Sequence, residues 1–307
     1  MKFFAMLGAC AALVACTEVN VDETKVFAPV AFDKTLAAQT GEVIDGEKGF
    51  ASADAWKTAW AARVANLRLG EPMLAFAPAA VEHGVTPSGI AWSLVTRPGE
   101  GRPLIVRCGG NASTRQMTGF TYTAAAIDHG DVLLFDYPGS GETGGEVSTP
   151  RFVGMSSDLI ALIRAKAGSR KLVLWGHSLG GFVCSDLARQ MPETKAVILE
   201  TTARNAAETA KAWTPWYAGP FVRIKIGPGI DAYDNATALK DFKGPVLVFG
   251  ATLDKTLPVQ LARSLDKALK EEGLDVTYVE FPAGGHSTSP HEPGFREAVD
   301  KVFARIQ

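Results

Sequence analysis

Cysteine, histidine and clustered positive charge are all scarce in this chain. Four cysteines and five histidines are scattered so widely that no two show the ligand spacing of a zinc site. Neither a metal nor an organic cofactor is expected. Lysine and arginine number 31 against 33 aspartates and glutamates, and no basic run reaches a polybasic patch, so nothing points to nucleic acid as a partner. No stretch is a convincing transmembrane helix. What is plentiful is apolar side chain. Hydrophobic residues make up 47% of 307, enough core for one large α/β domain or two small ones.

The first residues read as a leader. Met1 and Lys2 form a minimal positive start, and residues 3–15 are apolar, too short to span a bilayer comfortably and the right length for a signal-peptide core. The run ends in Leu13, Val14, Ala15 and Cys16, the pattern of a bacterial lipobox, with Cys10 a weaker second candidate. The expectation is a signal peptide over 1–15 and a lipidated Cys16 that holds an exported protein on a membrane of the bacterial cell envelope. The alternative is an ordinary signal and a soluble periplasmic or secreted protein. Residues 16–69, broken by Pro29, Gly41 and Gly46, read as an N-terminal extension or tether. Within them Ser52 or Asp54 could cap a helix whose Trp56, Trp60, Val64 and Leu67 share one packing face. Export would permit Cys108 and Cys184 to pair, although both lie in core segments and could equally be buried free thiols.

The chain is organised around residues 171–181, KLVLWGHSLGG. A short β-forming run meets a glycine-flanked serine without a spacer, and a helix-forming segment follows. Strand, tight turn and helix with Ser178 at the apex form a nucleophile elbow. A side chain at Gly176 or Gly180 would collide with neighbouring backbone, so glycine belongs at both. The helix aims its N-terminus at the serine, which favours negative charge developing there.

Upstream, residues 79–82 and 88–97 read as a hairpin, 73–76 as a further short strand and 103–108 as a buried strand leading into Gly109, Gly110 and Asn111. A helix-like stretch follows over 115–129. Residues 131–135 form another buried strand, closed by Asp136, Gly139 and Gly141 in a D-x-x-G-x-G loop. Here the chain resembles the α/β-hydrolase superfamily, in which a His-Gly-x turn follows the third strand and such a loop follows the fourth. Gly109 replaces the usual histidine, while Gly110, Asn111 and Ala112 resemble the Gly-Asn-Ala of the bud-emergence-suppressor-like hydrolases. The resemblance covers residues 70–307 and implies a mostly parallel sheet with helices on both faces. By position, the backbone N–H groups of Asn111 and Leu179 would form an oxyanion hole.

Residues 152–167 read as a helix and 195–199 as the next strand. From about 201 to 243 the strand–helix rhythm breaks, and Trp213, Trp216, Tyr217 and Phe221 crowd into a Pro- and Gly-bearing insert. The family holds a lid in this interval, and an aromatic insert suits an apolar pocket. Asp254 follows the strand at 244–250, and His286 follows the strand at 275–281. Ser178, Asp254 and His286 thus come in the chain order of this fold, each in a loop after a strand. A serine hydroxyl is a poor nucleophile until a base takes its proton, an imidazole titrates near neutrality, and a carboxylate fixes its tautomer. His83, His129, His177 and His291 carry no comparable signal, nor do Asp231, Asp234 and Asp241 as rival acids. The resemblance implies hydrolysis of an apolar carboxylic ester, in the manner of a carboxylesterase, lipase or lysophospholipase. A thioesterase or peptidase would use the same three residues, and a non-catalytic binder on the fold is the alternative of a different class. The sequence leaves oligomeric state open.

Overall fold

The computed structural model describes residues 17–22, 26, 58 and 80–306, apart from 216, 219 and 220. Cys10, Cys16, Trp216, the strand expected at 73–76 and the helix expected around Trp56–Leu67 lie outside them.

Ten strands and eight helices occur among the described residues. Eight strands make one sheet. In chain order these are β2 (Ala80–Val85), β3 (Ala91–Thr96), β4 (Leu104–Cys108), β5 (Asp131–Phe135), β6 (Leu172–His177), β7 (Thr194–Glu200), β9 (Val246–Ala251) and β10 (Val276–Phe281). The spatial order is β10-β9-β7-β6-β4-β5-β3-β2, parallel throughout except that β3 runs antiparallel to both β5 and β2. The expected hairpin is therefore present, but β3 begins at Ala91. Thr86 to Ile90 close the turn instead, with Gly89 N–H donating to the Thr86 carbonyl and Thr86 N–H to that of Ile90, each at 2.9 Å.

Strands β4, β5, β6 and β9 are buried at every position. That is why they read as continuous apolar runs: in a parallel sheet covered on both sides neither face meets water. Alternate residues serve the two faces. Leu104, Val106, Leu174, Val197 and Val248 pack with α2 (Thr149–Ala167), α3 (Leu179–Gln190) and α7 (Val259–Glu271). Ile105, Val173, Trp175, Ile198 and Phe249 pack with α1 (Arg115–Ala126) and α8 (Phe295–Arg305). Cys108, at the end of β4, is joined to Cys184 on α3 in a disulfide between fully buried residues.

The insert holds α4 (Ala206–Trp213), β8 (Val222–Ile226), α5 (Pro228–Asp231) and α6 (Asn235–Leu239). Strand β8 pairs in parallel with β1 (Thr17–Val21) to form a separate two-stranded ribbon. Residues 17–21, within the expected extension or tether, thus form a strand against the insert. The sequence Thr-Glu-Val-Asn-Val alternates with period two, and its apolar residues find cover against the insert. His291 lies in a short 3-10 turn, Ser289–His291, ahead of α8.

Candidate active site

The topology places the site. Strand β4 lies between β5 and β6, so the chain passes to one side of β4 and then to the other. At such a switch point the loops leaving the strand ends diverge and open a crevice above the carboxyl ends. The turn after β4 carries Gly109, Gly110 and Asn111, and the turn after β6 carries Ser178.

Ser178 sits at φ 52° and ψ −119°, a backbone conformation that an L-residue with a side chain rarely adopts. Its N–H donates to the Glu200 carbonyl at 2.9 Å, tying the turn to β7. A Cβ at Gly176 would strike the backbone of Gly180, and one at Gly180 would strike the carbonyls of Cys108 and Gly109. Both glycines are thus required by close approach, as the motif demands. The start of α3 is thereby pressed onto the end of β4, which sets Leu179 beside the Asn111 turn.

The three separate loops converge. His286 Nε2 lies 3.0 Å from Ser178 Oγ, and His286 Nδ1 lies 2.7 Å from Asp254 Oδ2. The other carboxylate oxygen of Asp254 accepts from the N–H groups of Thr256 and Leu257, both at 2.8 Å. Two backbone donors therefore fix the carboxylate before it meets the imidazole. The Asp254 side chain is 1% exposed and that of His286 20%, so the carboxylate is sealed while the imidazole stays partly accessible. Asp234, one of the rival acids, is engaged elsewhere, with Asn205 and Arg204.

His177 carries no comparable signal of a role in the sequence, yet it touches the loop of His286. Its Nε2 donates to the backbone carbonyl of His286 at 2.8 Å, and the Thr201 hydroxyl donates to the same carbonyl at 2.8 Å. A carbonyl only accepts, so Nε2 carries the proton. Burial lowers the imidazole pKa and keeps it neutral, leaving Nδ1 to accept from the Tyr122 hydroxyl at 3.0 Å. That hydroxyl in turn accepts from Gly110 N–H at 3.3 Å. One chain of hydrogen bonds thus joins the Asn111 turn to the loop of His286.

Beneath it Arg107 is fully buried, with its guanidinium 4.4 Å from the Tyr122 ring centroid and 4.3 Å from that of Trp175. It pairs with Glu200 at 3.3 Å. A buried cation needs such a partner, because an unpaired one would be costly. An arginine inside the apolar run of β4 was the available signal for this network, and a histidine beside Ser178 in the elbow was the other.

Asp136 explains the D-x-x-G-x-G loop without touching the three site residues. Its carboxylate accepts from Arg115 N–H at 2.7 Å, Arg115 Nε at 3.0 Å and Glu142 N–H at 3.1 Å. His83 contacts Ser93 and His129 stacks on Phe303, both away from the serine.

Above Ser178 opens a cavity of about 460 Å3. Asn111, Ser178 and Leu179 lie at its floor. Its walls include Phe152, Phe182 and Val183 from the body, Trp213 and Ile224 from the insert, and Val19 and Val21 from the N-terminal ribbon. The lining is overwhelmingly apolar, as in a site for a greasy ligand oriented by few polar groups.

Comparison with known proteins agrees with this architecture. Residues 103–223 match the family model described as alpha/beta hydrolase fold. An uncharacterized protein of Mycobacterium tuberculosis is 30% identical over 204 residues, covering 64% of this chain and 67% of that one. The chain belongs to the alpha/beta hydrolase fold family. Among named relatives, lysophosphatidylserine lipase ABHD12 of Rattus norvegicus is 30% identical over 182 residues, which are 53% of this chain and 44% of the lipase. The match thus spans under half of that relative. The Pyrococcus furiosus esterase Pf2001 superposes with a TM-score of 0.56 at 14% identity, over 79% of this chain and 97% of the esterase, a likeness of fold.

Proposed function

We propose that the protein is a serine hydrolase that cleaves carboxylic esters with an apolar acyl group through an acyl-enzyme on Ser178. The observation that carries this reading is His286, held between Asp254 Oδ2 and Ser178 Oγ, with Ser178 itself on the floor of an apolar cavity. In this mechanism Ser178 Oγ attacks the ester carbonyl while His286 Nε2 takes its proton, and Asp254 stabilises the imidazolium. The carbonyl oxygen becomes an oxyanion that accepts from the N–H groups of Asn111 and Leu179, where the N-terminus of α3 adds its favourable dipole. Collapse expels the alcohol, protonated by His286. Water then gives up a proton to His286 and attacks the acyl carbon, releasing the acid and restoring the serine.

Lysophosphatidylserine lipase activity in the rat relative supports an ester of a lipid as the substrate class. A fluorophosphonate probe is expected to label Ser178, and the protein to hydrolyse p-nitrophenyl esters with a preference above acetate in chain length. Failure to label would favour a binder on the fold. Labelling without ester turnover would point to a thioester or peptide substrate.

The same proposal includes location. A lipobox-like Leu13-Val14-Ala15-Cys16 supports export and lipidation at Cys16. A single acyl chain binds a bilayer only marginally, so a cysteine carrying two or three is required for firm anchoring. Mass spectrometry of the mature N-terminus tests this. Acylated Cys16 is the expected result, and an unmodified start further along would show a plain signal.

A further inference from the structure

We propose that the N-terminal strand is a substrate-binding element, forming the wall along which the acyl chain extends from Ser178. The inference rests on the reading above and deepens it by naming what sets chain length.

Strand β1 lies outside the eight-stranded sheet and 58 residues before its first strand, β2, by the numbering of Val21 and Ala80. It nevertheless pairs with β8 at five register positions, Val19 opposite Ile224 and Val21 opposite Ile226. The ribbon has two unlike faces. Val19, Val21, Val222 and Ile224 line the cavity and are half-buried, whereas Glu18, Asn20, Arg223 and Lys225 are exposed. Glu18 and Lys225 approach to 3.8 Å on the outer side. Side chains alternate across a strand, so this register alone turns the valines inward.

The same segment reaches the oxyanion turn. The Val26 carbonyl accepts from Asn111 Nδ2 at 2.6 Å, and Asn111 Oδ1 accepts from Ala112 N–H at 3.0 Å. The side chain of the residue assigned to the oxyanion hole is therefore held between its own turn and the N-terminal segment. Val26 also lines the cavity, so the N-terminal segment contributes to the cavity both at the ribbon, through Val19 and Val21, and beside the Asn111 turn, through Val26.

A two-stranded ribbon is marginal by itself in water. Its inner face is apolar and stands over open space. An extended hydrocarbon chain laid in that space would cover the valines and be covered by them. Chain binding and ribbon order would then reinforce each other, as any ligand that prefers one conformation stabilises it. The ligand class that fits is an unbranched acyl chain whose carbonyl sits at Ser178 and whose tail runs under β1 and β8.

The test uses the full chain. Val19→Trp should fill the cavity under the ribbon and lower kcat/KM for a dodecanoate ester relative to a butyrate ester by about tenfold, a size typical of steric discrimination in an apolar pocket. Val21→Ala should shift the preference towards longer chains. Glu18→Ala, on the outer face, should leave the profile as in the wild type. Calorimetric binding of dodecan-1-ol provides a readout without chemistry: the wild type and Glu18→Ala should bind alike and Val19→Trp about tenfold more weakly. Equal losses on dodecanoate and butyrate in Val19→Trp would overturn the proposal, because the strand would then serve the fold and not the chain. So would unchanged dodecan-1-ol binding. If Ser178 fails to label with fluorophosphonate while alcohol binding responds to Val19→Trp, the ester reading falls and the binding wall stands.

Discussion

Ser178 and Asp254 follow strands buried at every position, and His286 follows the edge strand β10, of which only Phe281 is buried, whereas above them Val19, Val222 and Ile224 are half-buried and Trp213 is exposed. The platform is built from close approaches: glycine against carbonyl at the elbow, two backbone donors on Asp254, two donors on the His286 carbonyl. The roof is built from two strands about 200 residues apart in sequence, by the numbering of Thr17 and Val222, joined by five pairings. Chemistry needs reacting groups held to a fraction of an ångström. Selection of a hydrocarbon chain needs only area and shape, and a half-covered ribbon provides both. Substitutions in the platform should therefore affect every substrate alike, and substitutions in the roof should discriminate among them.

The sharpest division comes from Ser178→Ala. Loss of about 10³-fold or more in kcat is expected on short and long esters alike, with folding intact. His286→Ala should be comparably severe and Asp254→Asn somewhat less so. Residual esterase in purified Ser178→Ala would break the comparison at its base.

Next in size is the disulfide. Cys108 and Cys184 are separated by 76 residues and tie the strand beneath the Asn111 turn to the elbow helix. Closing so long a loop stabilises the native chain by about 2–4 kcal/mol. Urea denaturation of Cys108→Ala/Cys184→Ala should show a loss of that order, with the chain-length profile of surviving activity unchanged. A changed profile would mean that platform and roof are not separable.

His177 tests the platform more finely. Its two hydrogen bonds hold the His286 loop to Tyr122 and the Asn111 turn. His177→Phe should lower kcat by about 10–100-fold with KM little altered, since a misplacement of about 1 Å costs that much. His177→Gln, which returns a donor near the Nε2 position, should recover part of the loss, and a purely space-filling role would show no such recovery. The pH dependence of stability has a definite sign. Burial lowers the His177 pKa in the folded chain, so below about pH 6.5 the unfolded chain takes up a proton that the folded chain refuses. The unfolded state then binds more protons, and stability falls as pH falls. His129 is lowered by burial as well and adds the same sign. Thermal melts of His177→Gln should show a shallower decline on the acid side, with the slope from His129 remaining.

Much of this division was legible in the sequence. The elbow, the order of Ser178, Asp254 and His286, and the buried strands beneath them are contiguous signals, each set by local geometry. The insert at 201–243 was legible as a break in the strand–helix rhythm, but the ribbon that it makes with the N-terminal strand was not. Thr-Glu-Val-Asn-Val and Val-Arg-Ile-Lys-Ile both alternate with period two, but alternation says only that one face is covered, never by which distant segment. His177 escaped for a similar reason. Its partner is the backbone of a residue 109 positions away, and a backbone carbonyl leaves no trace in a sequence. The pairing of Cys108 with Cys184 stayed open because paired and free thiols bury equally well.

The smallest effect belongs to Trp213, where roof and platform meet. Its ring lines the cavity, while its indole N–H donates to the Thr256 carbonyl at 2.6 Å. Thr256 in turn donates its N–H to Asp254. Trimming to alanine therefore removes apolar wall and also releases a restraint on the loop that carries Asp254. The two contributions separate with a second variant. Trp213→Phe retains most of the ring area and loses only the hydrogen bond, so it should lower activity slightly and equally on short and long esters. Trp213→Ala should shift the ratio of long-chain to short-chain kcat/KM by about three- to tenfold, the scale of a few buried methylenes exchanged for open space. Kinetics across p-nitrophenyl esters of graded length reads both. If Trp213→Phe shifted the ratio as far as Trp213→Ala, the ring's area would be irrelevant, and the roof would select chains by positioning the Asp254 loop rather than by contact with the chain.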